Sequence, residues 1–504
     1  MFPPNIYRRS GIAASLVLAF GLTGASYAQT VLVDPAATAD NLTTFNTVHE
    51  AVLSFATTGA NGSNPAPNII NLATASPITD KVVADSDPGA ASQVTISGDI
   101  VIQGQGGQQA IWVGQPLSDA EQTIRNSTTA PPLPCLAWRQ PVNLTVKNVT
   151  FIPGDPTMMS FFVLKSPSAA GTTSATVENC IFTANNGSNQ PLTTTGQDDP
   201  DVMASGVIAL GAGGDCIYAM SREEQGNFEL NVINTVFASF ATLDPSTSKF
   251  HTTSDCIISY MQGLNAGNFI SSELNVYPGT VFANAGRGIQ NPYGGNVNVK
   301  GSADKPVVFR NLTGLAGIWN YSDAATQPTA CTVDHAHFYK LTLNALGEYA
   351  VRGFLNSVTN TVIADCGSDG INLQASGALP PAGEATDTLT IDHTVIHNSG
   401  SGGTPSGIYA YAAFNRNINV TNSVFTGPGK VGIAYNGSGV VNVSNTVLSR
   451  NGDNALQAQT AGSGTINLDS SVSDAAVTYE NMTDPFAANF FKVQGSDVKD
   501  WSVY

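Results

Sequence analysis

Three groups of residues in this 504-residue chain have types and spacings that could do chemistry. The first is Asp198, Asp199 and Asp201 in the stretch GQDDPD, where clustered carboxylates can bind calcium or supply the acid and base of glycoside hydrolysis. A loop end carrying Asp and Pro is also ordinary turn chemistry. The second group is Asp215, Asp255, Arg287, Arg352 and Asp369, which lie within short phrases centred on Ile or Val. Arg287 or Arg352 could remove a proton beside a uronic carboxylate, with Asp255 and Asp369 among the carboxylates holding calcium. Asp255 and Arg287 equally fit a cross-strand ion pair worth no more than about 1 kcal/mol. The third group pairs Asp334 with His335 and Asp392 with His393, with His337 and His397 close behind each. A metal site there would need side chains to converge from segments separated by a third one.

The elements that must position these residues form a repeat. A phrase of the form apolar–x–Asn followed by apolar residues recurs as VKNVTF at Val146, VENCIF at Val177, VINTVF at Val232, VTNTVI at Val358, VTNSVF at Val420 and VSNTVL at Val443. Histidine takes the Asn slot in VDHAHF at Val333 and IDHTVI at Ile391. Asn422 and Asn445 stand 23 residues apart, and a unit this short buries an apolar face only by stacking on its neighbours. Alternation turns the Val and the later Phe, Ile or Leu inward, while the Asn suits a sharp left-handed bend. A second phrase aligns as GDCIYA at Gly214, SDCIIS at Ser254, GRGIQN at Gly286, LAGIWN at Leu315, YAVRGF at Tyr349, SDGINL at Ser368, PSGIYA at Pro405, KVGIAY at Lys430 and DNALQA at Asp453. Three short strands per coil, stacked nine to twelve times, predict an all-β, single-stranded parallel β-helix.

These phrases resemble the pectin-lyase-like right-handed parallel β-helix superfamily across about residues 60–480, with the recurrent Asn similar to its asparagine ladder. The resemblance implies that the Ile-centred strands form the sheet that floors a substrate groove. The residues just after each aligned Ile then face that groove. Among them Tyr218, Tyr260, Trp319, Tyr321, Tyr409 and Tyr411 would offer rings for sugars to stack on, with amides between them. The alternative is that these rings are good strand residues half-covered by loops. The Gly-His-Gly and Arg-Ile-Lys motifs of polygalacturonase-type enzymes are absent, and only the Asp-His of one pectate lyase phrase is present. A lyase is therefore expected ahead of a glycoside hydrolase, if the chain is an enzyme. A non-catalytic surface or adhesion repeat protein is the rival class.

Residues 1–28, with Arg8 and Arg9 ahead of an apolar run and small residues at Ser26 and Ala28, read as a secretory signal. The expected mature protein is secreted, extracellular or periplasmic. Residues 29–60 would form an N-terminal helical cap, 61–480 the β-helix, and 481–504 a closing segment. The net charge of −17 with only 11% charged residues disfavours nucleic acid and membrane insertion, leaving extracellular polysaccharide as partner and calcium as the one cofactor considered. The six cysteines show no CxxC spacing; Cys216 and Cys256 hold equivalent slots, so they could form a disulfide or replace Gly as small residues. Loops are expected at 109–141, 185–205, 239–254 and 376–388.

Overall fold

The structure is a computed structural model that describes residues 28–468 apart from connecting stretches, the longest being 119–133, 184–214, 261–271 and 374–387, together with 492–493 and 496–497. The chain winds into a right-handed parallel β-helix. Among the described residues three stacked sheets of 15, 12 and 12 strands run the length of the molecule, each strand pairing with its equivalent one coil before and one coil after. No described helix is long and apolar enough to cross a membrane.

One coil illustrates the path. Asp215–Met220 lies in the isoleucine sheet, Asn227–Ile233 in the long sheet and Val236–Ala238 in the third, and Asp255–Tyr260 begins the next coil above the first. The register is unbroken: Ile217, Ile257, Ile289, Ile318, Val351, Ile371, Ile408, Ile433 and Leu456 lie one above another. The YAVRGF segment thus occupies the slot its sequence suggests.

The bend between the long sheet and the third is one or two residues in most coils, and its first residue is left-handed. Asn148, Asn179, Asn234, Asn360, Asn422 and Asn445 have φ of 43–55°, and His335 and His393 both have φ of 49°. Asn tolerates this region because its short amide finds close partners, here on the preceding coil: Asn234 donates to Asn179 at 2.7 Å and Asn445 to Asn422 at 2.5 Å.

The third sheet lines the core with a file of rings: Phe151, Phe182, Phe237, Phe282, Phe309 and Phe338 stack with centroids 4.5–5.1 Å apart. That spacing is the strand separation itself, so register alone aligns the rings.

The first open end is covered by the helix Val48–Ser54, with Val48, Ala51 and Val52 buried. It occupies only seven residues of the 29–60 segment expected to form a helical cap. Thr47 caps it by accepting the Glu50 N–H at 3.1 Å, and Thr44–Phe45 instead pairs in parallel with Leu32–Val33. Two further expectations are corrected. Strands Ala110–Gly114 and Pro134–Arg139 lie within the supposed loop 109–141, and Thr242–Asp244 pairs antiparallel with Lys249–His251 inside 239–254. The signal segment, most of the closing segment and the 185–205 loop lie outside the described residues.

Candidate functional site

The longest connections enter or leave the isoleucine sheet at its two edges, since 184–214 and 239–254 precede its strands while 261–271 and 374–387 follow them. Its outward face is therefore the one flanked by variable chain. Register places Tyr218, Ile258, Gln290, Trp319, Arg352, Asn372, Tyr409, Ala434 and Gln457 in one file. Tyr218, Gln290, Trp319 and Tyr409 are half-buried, with part of each side chain open. Tyr260 and Arg352 take their strand positions, and their side chains lie outside the description. Tyr321, Tyr411, Asp198, Asp199 and Asp201 also lie outside the described residues.

The face is not open along its whole length. At its N-terminal end Val83, Ala137, Val163, Met220 and Leu117 form a second small core on the outside of the sheet, and Tyr218 packs against it. The strands beneath, PCLAWR and SFFVLK, are buried at every position. Sequence reasoning missed this cover. The signal was present in those unbroken apolar runs, which mark strands buried on both faces. The remaining file, from Ile258 to Tyr409, is the candidate site.

A line of charge runs along one edge of this file. The Asp255 N–H donates to the Asp215 carboxylate at 3.1 Å, and Arg287 grips Asp255 with two nitrogens at 2.5 and 3.0 Å. The same guanidinium lies over the Trp319 ring, 4.9 Å from its centroid. Asp215 and Asp255 are 3% and 2% exposed, so the carboxylate side of the ion pair is buried while 20% of the Arg287 side chain stays open. Burial, together with the neighbouring Asp255 charge, pushes the Asp215 carboxyl well above the ordinary range. Burial also raises Asp255, and Arg287 opposes that rise. Arg287 so placed presents a fixed positive charge. Two of its nitrogens are committed to Asp255.

Asp369 joins this line differently. It accepts from the Ser406 N–H at 2.7 Å and from Asn372 at 2.7 Å, which orients the Asn372 amide within the file. Asp369 is 6% exposed and Asn372 1%.

The Asp–His pairs lie elsewhere, at the bends. Asp334 and Asp392 bond the Nδ1 of His335 and His393 at 2.9 and 2.6 Å. Each Asp also accepts from the next coil: Asp334 from Thr359 and Asn360, Asp392 from Thr421 and Asn422. Where His replaces the ladder Asn, the preceding Asp takes over as acceptor, so these pairs are structural. Among the described residues no group of His, Cys, Asp or Glu could hold a metal ion.

Comparison of the chain with family models, with curated proteins and with solved structures finds no match in any of the three.

Proposed function

We propose that this chain is an exported β-helix protein that binds an acidic extracellular polysaccharide along the outward face of the isoleucine sheet. One observation carries this reading: Trp319 and Tyr409, both half-buried, stand in a single register-aligned file with Gln290, Arg352 and Asn372, and Arg287 lies on Trp319. Rings give sugars an apolar platform, the half-buried Gln290 amide gives their hydroxyls a partner, and the Arg287 guanidinium on Trp319 gives a uronic carboxylate a counter-charge. Strand spacing of about 4.8 Å repeats these groups along the axis. The likeness to the pectin-lyase-like superfamily supports the same face, since its enzymes bind glycans there. A cleaving activity would be elimination, and its base would be Arg352 rather than the paired Arg287.

The test is retention on, and cleavage of, a panel of acidic and neutral polysaccharides with and without calcium, following unsaturated and reducing ends. Retention lost in Trp319→Ala and Tyr409→Ala, with folding intact by circular dichroism, supports the face. Unchanged retention in both variants removes it. Unsaturated ends identify a lyase, reducing ends alone a hydrolase, and binding without either a non-catalytic adhesion or spacer protein.

A further inference from the structure

The position just before each aligned Ile is set apart. The ladder pairs Asp255 with Arg287 and Ile257 with Ile289, passing over the residue between, and pairs Ser160 with Asp215 and Phe162 with Ile217 in the same way. The passed-over residue faces the core: a Cβ on Gly288 would sit 2.6 Å from a Phe309 ring carbon and one on Gly370 2.9 Å from Ile396 Cγ2. From Cys216 onward small residues fill this file, and in two successive coils the small residue is a cysteine, Cys216 and then Cys256.

We propose that Cys216 and Cys256 are joined by a disulfide when the chain folds in an oxidising compartment. The structure holds them as thiols, both fully buried, on strands that pair directly. Both side chains thus occupy the same core-facing slot one coil apart, and burial first, with Cys256 beside it, raises the Cys216 thiol well above its ordinary range. No other described cysteine has such a neighbour. Cys135 faces Phe161 in this file and donates to its carbonyl at 3.0 Å, Cys180 bonds the Val146 and Glu178 carbonyls, and Cys331 and Cys366 lie beside Asn356 and Leu341.

The cross-link forms by exchange with a disulfide-bearing donor. One cysteine thiolate attacks the donor and expels a donor thiolate; the second attacks the mixed disulfide and expels the other. The two cysteines lose two protons and two electrons, and the donor disulfide becomes two thiols. Because both sulfurs are sealed in the finished coil, the exchange precedes stacking, and the bond then resists reduction until the coil opens. The link closes the coil that begins at Cys216 and pins Asp215 and Asp255, the residues immediately before the two cysteines. It does not rest on the glycan reading.

The experiment is a thiol map of the full chain produced in a bacterial periplasm, unfolded in guanidinium with iodoacetamide and no reductant. The expected result is one peptide pair joined through Cys216 and Cys256, two hydrogens lighter than its separate thiol peptides, with the other four cysteines alkylated. Six alkylated cysteines, or a link through any other pair, would overturn the proposal. In Cys256→Ser, Cys216 should become alkylated, and reductant should lower the unfolding midpoint of the native sequence while leaving that of the variant unmoved. A native midpoint that ignores reductant would also overturn it.

Discussion

Arg287 lies over the ring of Trp319 on the next coil, its guanidinium carbon 4.9 Å from the ring centroid, and holds Asp255 of the preceding coil with two nitrogens. Three successive coils are thereby tied on the outward face by one side chain. The tie gives the aromatic file a charged contact that restrains the Trp319 ring.

Breaking the tie from the arginine side should be expensive. Asp255 is 2% exposed, and without Arg287 it would be a buried carboxylate with no counter-charge. Arg287→Met should therefore cost about 3–5 kcal/mol in guanidinium unfolding, and adding Asp255→Asn should recover much of it. A cost below about 1 kcal/mol in the single variant would mean that the pair behaves as an exposed bridge.

The ring file makes a second prediction. Phe282 stacks between Phe237 and Phe309 at 5.1 and 4.7 Å, so Phe282→Ala removes contacts to two coils at once. The expected loss is about 3–5 kcal/mol, measured by chemical denaturation, against less than about 1.5 kcal/mol for Phe282→Leu.

Gly288 tests the same core from the other side. Its missing Cβ would meet a Phe309 ring carbon at 2.6 Å and the Gly317 carbonyl oxygen at 2.7 Å. The ring is held in the stack and the carbonyl belongs to the backbone, so neither yields freely. Gly288→Ala should cost about 1–3 kcal/mol by the same measurement.

The coil architecture was legible because period, register and bend chemistry agree. Every aligned Ile phrase carries its own strand pattern, and the Asn slot announces the left-handed bend. The Arg352 position followed from that alignment alone. What was not legible depended on contacts between coils. The burial of Asp215 and Asp255 is set by neighbouring chain, and no local pattern separates a buried Asp from an exposed one. The second core beneath Tyr218 required seeing that Val83, Ala137 and Val163 share a file, although Val83 and Ala137 stand 54 residues apart in the chain. The start of the helix within the 29–60 cap has a local cause: Thr47 is a good N-cap and accepts the Glu50 N–H.

Acid should act through the bend carboxylates. Partial burial alone would raise Asp334 and Asp392, but bonds from Thr359, Asn360 and His335, and from Thr421, Asn422 and His393, outweigh it and leave both below the ordinary value of 3.8. The folded state thus binds fewer protons than the unfolded one in that range. This contribution is present above about pH 4 and is lost as pH falls through the lowered folded values. Asp334→Asn with Asp392→Asn should flatten the acid limb of the stability curve. Asp215, raised by burial, has the opposite sign: its contribution is complete below 3.8 and is lost as pH rises through its folded value, so Asp215→Asn should lessen the fall of stability on going from pH 4 toward neutrality. Unfolding midpoints measured across this pH range check both directions.

The bend histidines separate backbone demand from side-chain contact. His393 holds φ of 49°, matching Asn360 at 49° and Asn422 at 50° in the coils on either side. In an Asn-occupied slot the amide serves the ladder, and Asn422 already has its acceptor in Asp392. His393→Asn therefore keeps a residue suited to left-handed geometry and should change stability by less than about 0.5 kcal/mol. His393→Val places a β-branched residue in the same geometry and should cost about 1–2 kcal/mol or more. Guanidinium unfolding of the two variants decides between the causes. Equal losses would assign the slot to the His393–Asp392 contact at 2.6 Å, whereas a loss confined to Val assigns it to the bend itself.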